Sequence, residues 1–323
     1  MSPATRNGQS AQPHGATSDS YYGKPVVKEP VWKQEIPLYF FTGGLGGASG
    51  GLAYLAGLRG SEVLARRAWL VALFGLSVSP GLLISDLGRP ERFLNMLRMF
   101  KVTSPMSVGS WILAASGTAT GVSALHVLTG RFAGLARVSR PAAAALGLPL
   151  STYTGALLAQ TSIPVWHEAR RELPALFAAG AATSAGAAAA AVTPVCEAAP
   201  ARRLALLGAG TELALAAIME RRLGRAGEPY HAGVAGSYSR ASRALTVAGS
   251  ALLGARGARS RGSAVAGAAM LLSGALCERL SVFKAGFQSA SDPAFTVGPQ
   301  RERVATGVSS GASRRAPAAR AGA

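Results

Sequence analysis

The sequence predicts an all-α integral membrane protein with about eight transmembrane helices, and three observations carry that prediction. Only 15% of the 323 residues are charged against 49% hydrophobic, well below the roughly 25% charged residues of an average soluble domain. The apolar content comes from Ala, Leu, Val and 40 Gly rather than from aromatics, which make up 7%, and this is the composition of closely packed membrane helices. The 33 Lys and Arg give a formal net charge of +18, but they cluster between long uncharged stretches, as loop charges at a membrane surface do. That distribution argues against nucleic acid as a partner.

Each uncharged run is compared with the roughly 17 to 25 residues that a spanning helix requires. The first covers Ile36 to Leu58 and the second Ala68 to Ser85, with Pro80 as an expected kink. A third lies within Val102 to Gly130, helical from about Ser107, and a fourth runs from Pro141 to Pro164. The fifth, Leu173 to Cys196, is rich in Ala and only weakly hydrophobic, and the sixth, Leu204 to Met219, carries Glu212. Ala244 to Ala255 is short for a seventh, and the eighth runs from Gly262 to Cys277 and on toward Phe283. These runs place a helical membrane domain over 34–284, between an unfolded extramembrane arm at 1–33 and an unfolded tail at 285–323. The arm lacks the apolar core of a signal peptide. An even number of spans sets both termini on one side, which carries the larger share of Lys and Arg; the opposite loops are also dense in Arg, so charge does not fix the orientation.

Of the four histidines, only His126 lies in or near a span, so a bis-histidine haem is not expected. Cys196 and Cys277 are far apart without a CxxC partner, which excludes an iron–sulfur cluster or a cysteine-ligated metal in this chain. The run Gly43 to Gly51 lacks the Lys-Ser/Thr of a phosphate loop; its small-xxx-small spacing reads as a groove for close helix contact, and the same lack of side chains would let a flat ring or isoprenoid tail approach the backbone. Glu35 and Tyr39 share a helix face at the entrance of the first span. They read either as a solvated first-turn acid and an interfacial aromatic or as functional groups. Tyr153 lies inside the fourth span, with Gln160 seven residues later on the same face, and a phenol there needs a hydrogen-bond partner from a neighbouring helix or a ligand. Glu212, within a span, must face protein or water, as part of a proton path or as a structural hydrogen bond. Asp86 and Arg89 are placed to pair at the membrane boundary and fix the loop, and the apolar residues from Phe93 to Phe100, interleaved with Arg92, Arg98 and Lys101, read as an interfacial amphipathic helix or a docking surface.

At these residues the sequence resembles the NrfD-type family, the membrane subunits of polysulfide reductase and related molybdenum or iron–sulfur oxidoreductases. The matching segments are Glu35 to Phe41 leading into the glycine run, Asp86-Leu87-Gly88-Arg89-Pro90, Ser104 to Ser107 before Gly109 and Trp111, and Tyr153-Thr154-Gly155 followed by Pro164-Val165-Trp166. They occur in family order over roughly Trp32 to Trp166; the later half matches through the eight-span layout and the segment from Glu278 to Arg303. The resemblance implies two four-helix bundles, a quinone pocket at the end facing an iron–sulfur partner, and no prosthetic group in this chain. By position, Tyr39 matches a quinone-contacting residue that is His in some relatives, and Tyr153 matches the quinone-contacting Tyr of the fourth helix.

The sequence is therefore read as a multi-pass cell-membrane subunit that exchanges electrons between quinone, whether menaquinone or ubiquinone, and a ferredoxin-like iron–sulfur subunit with a catalytic, molybdenum-type partner. Tyr153 and Glu35 are the candidate catalytic groups, Tyr39, Tyr153 and Gln160 the candidate quinone contacts, and Asp86, Arg89 and Arg92 the loop-structuring or partner residues. The surface from Arg89 to Lys101 and the loop from Trp166 to Glu172 are expected to dock the iron–sulfur partner. The rival readings are a proton-coupled transporter using Glu212 and Glu278, and a membrane anchor without redox function.

Overall fold

A computed structural model of the protein describes residues 27–295. The expectations for the arm before residue 27 and for the tail beyond 295 lie outside these residues. Among the described residues the chain is helical throughout. The long helices are α1 (Glu35–Leu58), α2 (Glu62–Asp86), α3 (Pro105–Thr129), α4 (Ala133–Ala159), α6 (Leu173–Val192), α7 (Ala199–Leu223), α8 (Gly233–Arg256) and α9 (Arg261–Ser291), with a single short helix, α5 (Pro164–Glu168), between α4 and α6. Two 3-10 helices, Pro90–Leu97 and Gly224–Tyr230, fill the connections after α2 and α7.

Local chemistry sets the ends. The Ser104 hydroxyl accepts the Ser107 N–H at 3.4 Å with Pro105 in the first turn, and the Ser260 hydroxyl likewise accepts the Ser263 N–H at 3.3 Å, so α3 and α9 each begin at a serine cap. Gly130 closes α3 in the left-handed region at φ 69°, a conformation glycine adopts without strain.

Five helices, α2, α3, α4, α6 and α9, are long and apolar enough to cross a membrane, and the chain is a multi-pass membrane protein. Glycine lowers the mean hydropathy of α1, and α7 and α8 carry charges along their length. In space α1 packs on α2 and α4, and α3 packs on the same two helices. In the second half α6 packs on α7 and α9, while α8 lies against α9 and α7; α1 and α4 meet α6, and α1 also touches α9. The α1–α4 crossing is made by two glycines. A Cβ on Gly147 would lie 2.2 Å from the Gly47 carbonyl oxygen, and one on Gly47 would lie 2.9 Å from the Gly147 oxygen, so only hydrogen at both positions lets the backbones meet.

Most of the helices are longer than the uncharged runs. The seventh run belongs to a full 24-residue helix, α8, because Arg240 and Arg243 lie on it rather than before it. The eighth continues through Glu278 and Arg279 to Ser291, past the expected boundary at 284. The fourth helix starts at Ala133, eight residues ahead of Pro141, and stops at Ala159, with Pro164 opening α5 instead of closing α4. The third begins at Pro105, and the fifth run ends early, at Val192. Charges that are paired inside the protein, such as Arg243 with Glu220 and Arg279 with Glu278, do not end a helix. The stretch near Phe93, read as an interfacial amphipathic helix or a docking surface, forms a 3-10 helix, Pro90–Leu97.

Two loop expectations are also corrected. Asp86 does not pair with Arg89; its Oδ1 accepts the backbone N–H of Lys33 at 2.8 Å, which ties the segment before α1 to the end of α2. Within the loop from Trp166 to Glu172, His167, Arg170 and Arg171 are exposed, whereas Trp166 is not available to a partner. It is fully buried, its Nε1 donates to the Val282 oxygen at 2.7 Å, and its ring stacks on Trp32 at 5.7 Å between centroids. The indole rests on the α9 backbone at Gly286, where a Cβ would lie 2.1 Å from it. Glu172 is buried too, held by Arg222 Nε and Nη2 at 2.5 and 2.6 Å.

Candidate functional site

The terminus-side end of α1 to α4 holds the tyrosines singled out in the sequence. Tyr39, in the second turn of α1, is 2% exposed, and its hydroxyl has no hydrogen-bond partner among the described residues. One helical turn deeper, the Thr42 and Ser79 hydroxyls share a 2.8 Å hydrogen bond between α1 and α2. Tyr153, six residues before the end of α4, packs against the same apolar cluster as Tyr39 and remains half-buried. Its ring lies over Gly109 of α3, where a Cβ would be 2.1 Å from the ring, so the absence of a side chain at 109 sets the ring's position. Because α1 and α4 are adjacent and run in opposite directions, the start of one and the later part of the other reach similar depth.

The other sequence candidates lie at different distances from these two. Glu35 is half-buried at the first residue of α1, one turn above Tyr39. Gln160 caps α4 and is exposed, two turns beyond Tyr153. Arg89 and Arg92 are exposed at the 3-10 helix Pro90–Leu97, beside the exposed apolar side chains of Leu94, Met99, Phe100 and Val102. The Phe100 ring meets Trp111 edge-on at 6.2 Å, and Trp111 Nε1 donates to the Met99 oxygen at 3.4 Å, which holds this rim against the start of α3.

Aromatic contacts run from the tyrosine site into the second half of the molecule. Phe40, next to Tyr39, faces Phe177 of α6 at 5.9 Å, and the Arg279 guanidinium sits over the Phe177 ring at 4.2 Å from its centre. Arg279 is 2% exposed and donates from Nη2 to the Phe177 oxygen at 2.9 Å. Glu212 of α7 is buried beside it, with Oε2 accepting from Thr183 at 3.0 Å. Both charged ends occupy the space that a Cβ would take at Gly180, at 2.6 Å from Nη2 and 2.8 Å from Oε1. Glu278 completes the group, its Oε2 3.9 Å from Arg279 Nη1. The sequence reading had Glu212 and Glu278 but missed Arg279, although an adjacent Glu-Arg pair inside an otherwise apolar stretch is a visible signal for a buried ion pair. Tyr230, in the loop after α7, is buried near Glu278 and Glu220; burial first, and those two carboxylates second, push its phenol well above the ordinary tyrosine range.

The sequence of this helical chain is matched by a family profile described as NrfD_2, polysulfide reductase, over residues 19–292. The chain belongs to that family. No curated protein matches it closely. The matched region spans every helix, so the NrfD-type assignment covers the second half, with its Glu212, Glu278 and Arg279, as well as the first.

Proposed function

We propose that this NrfD-type chain is the quinone-exchanging subunit of a multi-subunit oxidoreductase in the cell membrane. In this reading it spans the membrane eight times, with α1–α4 and α6–α9 as two four-helix bundles, and passes electrons between quinone and a peripheral iron–sulfur subunit that serves a catalytic, molybdenum-type partner. Family membership supports a membrane subunit of a redox complex. The observation that carries the quinone reading is the Tyr39 hydroxyl, buried in the second turn of α1 without a partner among the described residues. Leaving such a group unbonded costs about 1–3 kcal/mol, and a quinone ring oxygen is an acceptor that would recover it.

The residues suit the chemistry. Oxidising a quinol releases two electrons and two protons, so the site needs polar groups at the ring oxygens and a proton acceptor with a route to water. Tyr39 and Tyr153 donate to the ring, Glu35 carries protons to the surface one turn away, and Gln160 stands at the rim. An apolar groove of about 570 Å³, walled in part by Gly47, Gly51, Gly147 and Leu148, accommodates an isoprenoid tail along the helices below. The exposed rim of Leu94, Met99 and Phe100 with Arg92, Arg98 and Lys101 supplies the mixed apolar and basic surface on which an iron–sulfur partner docks.

The test is Tyr153→Phe in the assembled complex. It should leave assembly intact, slow quinone-linked turnover by roughly 5- to 150-fold for a lost interaction of about 1–3 kcal/mol, and leave turnover with an artificial acceptor on the partner unchanged. Unchanged quinone turnover would remove the hydroxyl from the mechanism. The buried Glu212, Arg279 and Glu278 favour one other reading, a proton-coupled transporter; proton-coupled solute flux by the chain without partners would support it over the redox role.

A further inference from the structure

We infer that α7, α8, α9 and the loop before α8 enclose a water-holding proton-exchange site, in which Glu278 carries the proton and Glu220 with His231 forms its outlet to the terminus side. The inference does not depend on quinone binding. It starts from charge balance: two buried carboxylates, Glu212 and Glu278, share one buried guanidinium, Arg279. A net negative charge in this interior is unfavourable, so the group retains one proton.

Geometry assigns that proton. Glu212 Oε2 shares a 3.0 Å hydrogen bond with the Thr183 hydroxyl and the carboxylate lies opposite Arg279 across Gly180, with its Oε1 left open; of the two carboxylates it is the one with a hydrogen bond to support an anion. Glu278 Oε2 has no hydrogen bond and lies 3.9 Å from the guanidinium. Glu278 and Glu212 both line a polar cavity of about 20 Å³, together with Thr246, Tyr230 and Ser242. A cavity needs about 10–15 Å³ and two to four polar partners to hold a water. The Thr246 Oγ1 and Tyr230 hydroxyl are buried there without partners, as is Glu278 Oε2, and these are the groups one water would satisfy.

The cavity leads outward. Glu220, two turns along α7 from Glu212, lines the same cavity. Glu220 pairs with Arg243 and stands 3.8 Å from His231 Nε2, and the side chains of Arg243 and His231 are 44% and 58% exposed. The charged and titratable groups facing Glu278 are thus Glu212 and Glu220 from α7, Arg243 from α8, Tyr230 from the loop and Arg279 on its own helix. A proton leaves the Glu278 carboxyl, crosses the cavity water to the Glu220 carboxylate and passes by His231 to solvent, leaving Glu278 as the anion; the reverse order reloads it.

Infrared spectroscopy of the full chain in lipid nanodiscs at neutral pH tests this without quinone or partners. The expected result is one protonated-carboxyl band that shifts promptly when water is replaced by D₂O. The band should vanish in Glu278→Gln. It should vanish equally in Glu212→Gln, where Glu278 becomes the only counterion of Arg279 and gives up its proton. Thr246→Val keeps the side-chain volume and breaks no bond within the protein, so it should fold, yet it should slow the D₂O shift at least tenfold by removing a partner of the water. A band that persists in Glu278→Gln, or survives in Glu212→Gln, would overturn the assignment of the proton. A band that exchanges only as slowly as the helix amides, or an unchanged rate in Thr246→Val, would overturn the water-filled outlet. Loss of quinone turnover in the tyrosine variants leaves every one of these outcomes untouched, so the two proposals fail separately.

Discussion

Gly147→Ala should destabilise the protein, whereas Gly51→Ala, on the partner helix one turn past the crossing, should not. At Gly147 the added carbon would stand 2.2 Å from a backbone oxygen of Gly47, where ordinary contact begins at 3.4 Å. A carbonyl in a helix cannot rotate aside, so α1 and α4 must separate by about 1 Å locally. Overpacking of this kind costs about 1–3 kcal/mol, against which alanine's better helix propensity returns up to about 1 kcal/mol. A 2.2 Å approach to a backbone oxygen falls at the upper end of that cost, so the net loss is about 2 kcal/mol. Nothing lies within 4 Å of a Cβ on Gly51, so there the propensity term acts alone and the variant should match or exceed the native stability. Reversible unfolding of the purified chain in mixed micelles, titrated with a denaturing detergent, measures both. Native-like stability of Gly147→Ala, or an equal loss in Gly51→Ala, would refute the claim that the α1–α4 crossing depends on the close approach of Gly47 and Gly147.

Arg222→Ala removes two hydrogen bonds to Glu172 and a further one to the Glu168 carbonyl, leaving a mostly buried carboxylate at the start of α6. Unfolding titration should show a loss of about 1.5–3 kcal/mol, only partly recovered in Arg222→Lys, which lacks the paired geometry. Because the fold holds the Tyr230 phenol neutral, its contribution to stability is complete below pH of about 10, the ordinary tyrosine value, and declines as pH rises through its higher folded value. Ultraviolet titration of tyrosinate should therefore be the same for the native chain and Tyr230→Phe through the ordinary range; a missing transition near pH 10 in the variant would show that the phenol is not shielded.

The sequence made the membrane class and the positions of the helices legible because spanning length is a physical requirement that uncharged runs meet directly. It understated α8 and α9 because Arg243 pairs with Glu220 and Arg279 sits between two carboxylates, and a charge neutralised by a neighbouring helix is invisible to a count along one chain. The same limit applies at the site. Tyr39 and Tyr153 stand out as polar rings in apolar helices, but the loss of the Tyr39 partner depends on packing from α2 and α6. The Gly43/Gly47/Gly51 series looks uniform in sequence, while in space Gly47 touches a backbone and Gly51 faces open space. Gly180 gave no signal at all, since its role is to leave room for groups from two other helices. Asp86 was recognised as a loop-fixing acid, but its partner, a backbone N–H 53 residues away, could not be read from neighbours in sequence.

The central claim, a quinone headgroup held between Tyr39 and Tyr153 at the terminus-side edge, is tested most directly by photolabelling. Irradiating membranes that contain the assembled complex with an azido-quinone, followed by peptide mapping, should place the label on α1 near Tyr39 and on α4 near Tyr153, with excess native quinone preventing it. Labelling confined to other helices, or label at these positions that native quinone does not displace, would contradict the account.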